Sequence, residues 1–176
     1  MRRLTGCIGL VLCVVLIFGF LEMTPVSAEP VFVEKTTEVV EETVVIDTEP
    51  LYFIEGIELS EELQEVLYNA CKEFEVPYEL AVSVVWKESR FHNSVGDNGN
   101  SLGYMQIQPR WHQDKMEALG VDDLMDPSGN FRVGCMLLSQ LLSKYSVEDA
   151  LSVYNTGSPG SREYSSAVLD YMEGLI

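Results

Sequence analysis

From Ser60 the apolar positions Leu63, Val66, Leu67, Ala70, Cys71 and Phe74 fall at i, i+3, i+4, i+7, i+8 and i+11, one stripe on a 3.6-residue period. Ser60 stands where an N-cap belongs, so this spacing predicts an amphipathic helix. The next run differs: Leu80 to Trp86 is apolar nearly throughout, which predicts a buried helix opened by Pro77 and ending near Glu88. Asn93 to Ser101 is dense in turn formers, and a short hairpin is expected within Gly96 to Ile107. Pro109 begins a further helix that stops at Gly120. Asp126-Pro127 reads as cap plus first residue of a long helix through Phe131, Val133, Leu137, Leu138, Leu141 and Leu142. Ser146 with Asp149 forms a capping-box pattern for a helix that runs out at Asn155-Thr156-Gly157. A last helix, from about Arg162 to Glu173, turns Tyr164, Ala167, Val168, Tyr171 and Met172 inward. The expectation is one mainly α domain over residues 56–176.

The N-terminal third reads otherwise. Met1-Arg2-Arg3 is basic, Cys7 to Leu21 carries no charge, and Val26-Ser27-Ala28 offers small residues for cleavage after Ala28. Residues 1–28 are therefore expected to be a signal peptide. The alternative is an uncleaved anchor that ties the protein to the membrane, although the apolar tract is shorter than the ~20 residues that span a bilayer comfortably. Within residues 29–55, Glu29 to Pro50 is rich in Glu, Thr and Val with Phe32 as its one aromatic side chain, a composition that cannot offset its own ordering entropy. An acidic disordered linker is expected there. Together these segments predict export across the cytoplasmic membrane, to the cell wall or beyond it.

The formal net charge of −17 bears on partners. Nucleic acid binding needs clustered Lys and Arg, and the few basic residues here are scattered. Cys71 and Cys135 fall in the mature chain, where they either pair as a disulfide or pack as small buried hydrophobes. With His92 and His112 they match no metal-ligand spacing, so neither metal nor cofactor is expected. A monomer is expected. Trp86 and Trp111 are read as packing residues.

Glu88 carries the chemistry. Ala81, Val84 and Val85 lie at i−7, i−4 and i−3 from it, so its carboxyl shares their face. Burial there would raise its pKa and keep a protonated acid available near neutral pH. Spacing alone fits equally well a solvated helix-end residue between Lys87 and Arg90.

Three segments in order carry a resemblance: Glu88-Ser89-Arg90-Phe91, then Ser101-Leu102-Gly103-Tyr104-Met105-Gln106-Ile107-Gln108-Pro109, then Val153-Tyr154-Asn155-Thr156-Gly157. Asp126-Pro127 followed by Asn130 and Gly134 adds a fourth. The chain resembles the soluble lytic transglycosylases, a branch of the lysozyme-like fold, over roughly Ile57 to Tyr171. The resemblance implies a helical domain with a glycan-binding cleft and Glu88 as sole catalytic acid/base. It implies cleavage of the β-1,4 bond between N-acetylmuramic acid and N-acetylglucosamine in peptidoglycan, leaving 1,6-anhydro ends. It also implies that Ser101, Gly103, Tyr104, Met105 and Gln106 meet the glycan, with Gly103 admitting close backbone approach. Tyr154 and Asn155 match a Tyr-Asn pair whose tyrosine hydroxyl lies near the catalytic carboxyl. The sequence departs from the pattern at Tyr104, commonly Leu, and at Gln108, often Met.

Asp97 is the nearest candidate for a second carboxylate. In the cleft it would favour a goose-type lysozyme-like muramidase that uses water, whereas outside the cleft it would favour the anhydro product. A wall-binding module without catalysis is the remaining alternative.

Overall fold

Six helices and a two-stranded hairpin make up residues 52–175, the part of the chain that the computed structural model describes. The expected signal peptide and nearly all of the expected linker lie outside these residues. The helices are α1 (Glu61–Phe74), α2 (Tyr78–Ser89), α3 (Pro109–Leu119), α4 (Pro127–Leu142), α5 (Val147–Thr156) and α6 (Arg162–Glu173). Between α2 and α3 lie β1 (Ser94–Gly96) and β2 (Ser101–Gly103), antiparallel, with Val95 opposite Leu102. No helix among the described residues is long and apolar enough to cross a membrane.

The helix ends are where the sequence puts their caps. Ser60 Oγ accepts from the Leu63 amide, Asp126 Oδ2 from Gly129 at 2.8 Å, and Ser146 Oγ from Asp149. Gly120 and Gly157 close α3 and α5 in the left-handed conformation that glycine adopts without steric cost. Tyr52 and Ile54, expected at the end of the linker, belong to the folded domain: Ile54 exchanges hydrogen bonds with the buried Gln64 amide in both directions.

The α2 helix is the axis of the core. Leu80, Ala81, Val82, Val84 and Val85 are all buried, and α6 packs along the helix. Ser83, buried among them, turns its hydroxyl back to the Glu79 carbonyl at 2.7 Å, so that hydroxyl is not orphaned. α1 packs on α4, and there Cys71 and Cys135 meet with their sulfurs 3.8 Å apart. They are free thiols in a buried contact, not a disulfide. The hydrogen bond to Cys71, together with burial, pushes the Cys135 thiol pKa up and keeps it protonated.

Asn130 locks the hairpin to α4. Fully buried, it accepts from the Met105 amide at 2.8 Å and donates to the carbonyls of Leu102 and Leu124 at 2.9 and 3.0 Å. The Met105 amide and the Leu124 carbonyl, which have left water, are thereby satisfied by one side chain, while the Leu102 carbonyl also accepts from the Ile107 amide at 3.0 Å.

Candidate active site

Glu88 is the penultimate residue of α2, and the chain turns away immediately after the helix. Arg90 and Phe91 both adopt positive φ, 54° and 62°, an uncommon conformation for residues with side chains. Glu88 is left facing a cleft of about 560 Å³. The hairpin side of this cleft is formed by Ser101, Gln106 and Gln108, and α3 contributes Trp111 and His112. Leu137 and Leu141 of α4 and the Val153 to Gly157 end of α5 complete it. Glu88 is the sole carboxylic acid among the described residues that line it.

Burial raises the Glu88 pKa from the ordinary 4.5 to about 7, against the opposing pull of a hydrogen bond from Tyr164 and of the Lys87 charge. Glu88 is part-buried in the fold and not a fully solvated helix-end residue. Tyr164, from α6, donates its hydroxyl to Glu88 Oε1 at 2.5 Å. Burial and the neighbouring Glu88 charge hold the Tyr164 phenol well above its usual range, so it remains a donor.

Tyr154, expected near the Glu88 carboxyl, has its phenol pKa raised by burial and by the nearby Glu88 charge, but the hydrogen bond to Glu88 comes from Tyr164. Tyr154 lines the cleft beside Glu88, but its hydroxyl donates to the Met105 carbonyl at 2.8 Å. Nothing in the sequence distinguishes Tyr164 from an ordinary inward tyrosine; the one signal is that a buried phenol requires an acceptor.

The Ser101 to Gln106 segment divides between cleft and core. Ser101 lines the cleft, with Oγ accepting from Gln108 Nε2 at 3.2 Å, and Asn155 lies on the opposite side. Gln106 also lines it, but its amide donates inward to the Ser94 and Gly103 carbonyls instead of standing free for sugar. Tyr104 and Met105 are core residues: Tyr104 packs on Phe131, and Met105, fully buried, lies against Gly134. Gly103 has φ +78°, and a Cβ there would meet Asn130 and the Leu124 carbonyl within 2.5 Å. Its lack of a side chain admits α4, not a glycan. Tyr104, a departure from the resembled pattern, therefore changes core packing and not the cleft. Asp97 is exposed at the hairpin tip, hydrogen-bonded to Gln108 Nε2 at 3.1 Å, and lies outside the cleft lining.

The Transglycosylase SLT domain family matches residues 65–169, which include the acid, the hairpin and the cleft helices. The chain belongs to this family. A lytic transglycosylase Slt from Pseudomonas aeruginosa, solved as an inactive mutant, is similar in structure, with a TM-score of 0.54 at 20% identity. The match covers 62% of this chain and 23% of that one, so the chain spans under a quarter of that protein's length. At this identity the likeness is one of fold. A search of the curated proteins finds no match.

In this SLT domain Tyr164 steadies the charged form of Glu88, so removing its hydroxyl moves the acid further from its ordinary value. Tyr164→Phe is expected to raise the Glu88 pKa by roughly one unit, given the strength of hydrogen bonds to charged groups. Carboxyl-carbon NMR titration checks this, and an unchanged or lowered midpoint would contradict it.

Proposed function

We propose that this protein is a peptidoglycan lytic transglycosylase in which Glu88 alone acts as acid and then as base. The observation that carries this reading is a single cleft carboxyl whose pKa is raised to about 7 and which receives a hydrogen bond from Tyr164. Near neutrality such a group is divided between its two protonation states, the condition for one residue to give a proton and then take one.

In the first step Glu88 donates its proton to the glycosidic oxygen, and the bond from that oxygen to C1 of the muramic acid breaks. The sugar's own 2-acetamido oxygen bonds to C1 and stabilises the developing positive charge, where many glycosidases use a second carboxylate. In the second step the Glu88 carboxylate accepts the proton of the C6 hydroxyl, whose oxygen closes onto C1 and displaces the acetamido oxygen. Glu88 ends protonated, no water is consumed, and the product carries a 1,6-anhydro ring. With Asp97 outside the cleft lining, no second carboxylate among the described residues is on hand to activate water or attack C1.

The cleft suits a polysaccharide. Ser101 and Gln108 on its hairpin side and Asn155 across from them offer polar groups for hydroxyl and acetamido groups, and Leu137, Leu141 and Val153 offer apolar surface for the faces of sugar rings. We propose export as well, because the glycan lies outside the cytoplasmic membrane and the sequence begins with a basic and then apolar segment.

Purified peptidoglycan digested with the protein is expected to yield muropeptides lighter than reducing-end products by one water, as read by mass spectrometry. Reducing ends throughout the digest would overturn the transglycosylase reading in favour of hydrolysis.

A further inference from the structure

Trp111 and His112 stand on the α3 side of the same cleft, and the sequence reading gave neither a functional role. Trp111 is 67% exposed, the most exposed of the large hydrophobic side chains among the described residues. Exposing an indole forfeits the gain from burying it, so packing does not account for its position. It is also held in place. The Arg110 guanidinium lies 5.0 Å from the ring centroid, and Arg110 donates to Gln108 Oε1 at 3.0 Å. Gln108 in turn donates to Asp97 and Ser101. The indole is thus a backed surface on the cleft lining, most of it open.

His112 breaks the regular helix. Its φ of −129° and ψ of 19° depart from helical values. Its Nδ1 is enclosed by protein without a hydrogen-bond partner among the described residues. Sealing in a polar nitrogen unpaired disfavours the fold, and an apolar side chain would fill the space better. His112 lines the cleft, and with Nδ1 enclosed Nε2 is the ring nitrogen left to serve a ligand there. Burial and the neighbouring Lys115 lower the pKa of His112, so the ring is neutral near pH 7. A neutral imidazole nitrogen pairs with a hydroxyl as donor or as acceptor.

We propose that Trp111 and His112 form a saccharide subsite of the cleft, the indole packing on the apolar face of a sugar ring and His112 Nε2 pairing with one of its hydroxyls. The proposal rests on the glycan-cleaving reading and adds where the strand is gripped on the α3 side. Both are binding residues that do not touch the proton in transfer.

The test uses the full-length protein. In the E88Q variant, titration with the N-acetylglucosamine tetramer is expected to shift tryptophan emission to shorter wavelength, and the shift is lost in E88Q/W111F. On purified peptidoglycan, W111A and H112L are each expected to lower kcat/KM roughly ten-fold, mainly through KM, as for loss of one binding contact. H112Q, which restores a polar group at the same reach, recovers most of the loss. H112L is expected to melt no lower than wild type because it removes an orphaned nitrogen. W111A and H112L with wild-type KM and wild-type tetramer affinity would overturn the subsite and leave the reaction intact. A wild type that binds the tetramer through Trp111 yet cuts no peptidoglycan would uphold the subsite and overturn the lyase reading.

Discussion

Glu88→Gln is expected to reduce peptidoglycan cleavage by roughly 10³-fold or more, the usual contribution of a positioned general acid, while leaving glycan binding in place. The amide keeps the shape of the side chain and can still accept from Tyr164, but it has no proton of suitable acidity to give. The same variant carries a second signature. The folded pKa of about 7 lies above the ordinary 4.5, so folding favours the protonated form. That contribution to stability is fully present below about pH 4.5 and is lost as pH rises through 7. At pH 8 the wild type holds a buried charge that Gln removes, a gain of about 3 kcal/mol at one pKa unit per 1.36 kcal/mol. Denaturant unfolding at pH 8 and pH 4 should show the variant more stable at the first and equal to wild type at the second. Undiminished cleavage removes Glu88 from the mechanism; equal stability at both pH values means that the carboxyl is not desolvated.

The largest loss of stability is expected from Asn130→Ala. The substitution strands the Met105 amide and the Leu124 carbonyl, takes one of two donors from the Leu102 carbonyl, which keeps the Ile107 amide, and leaves a void beside Gly103. At about 1–3 kcal/mol for each unsatisfied buried group, with partial relaxation, the cost is roughly 3–5 kcal/mol. Urea unfolding measures it, and a loss below about 1 kcal/mol would show that water or a shifted backbone replaces the side chain. Activity should fall too, because Met105 carries the carbonyl that fixes Tyr154 in the cleft.

The helices were legible because each is announced locally. Ser60, Asp126 and Ser146 mark starts, Gly120 and Gly157 mark stops, and the apolar spacing between them is periodic. Glu88 was only half legible: its place on the face of Ala81, Val84 and Val85 fits a buried acid and a solvated helix end equally, and the family resemblance of the segments around it favoured the acid. The partner of Glu88 was not legible. Tyr164 lies 76 residues further on, and which of two inward tyrosines reaches the acid depends on how α6 crosses α2. The division of the Ser101 to Gln106 segment was hidden for a similar reason. A hairpin this short alternates its sides, yet Gly103 at φ +78° and Gln106 at φ +47° turn the chain so that Tyr104 and Met105 enter the core. Trp111 and His112 escaped because an aromatic residue at the start of a helix looks the same in sequence whether it faces a neighbour or an open groove.

The place of Glu88 along α2 has a consequence of its own. The last turn of a helix gathers outward-pointing carbonyls, whose partial negative charge repels an anion. A carboxyl in the penultimate position therefore binds its proton more firmly through the polarity of its own backbone, whatever lies across the groove. The same glutamate grafted into the first turn of a helix, behind equally apolar neighbours, would meet exposed amides instead and give up its proton earlier.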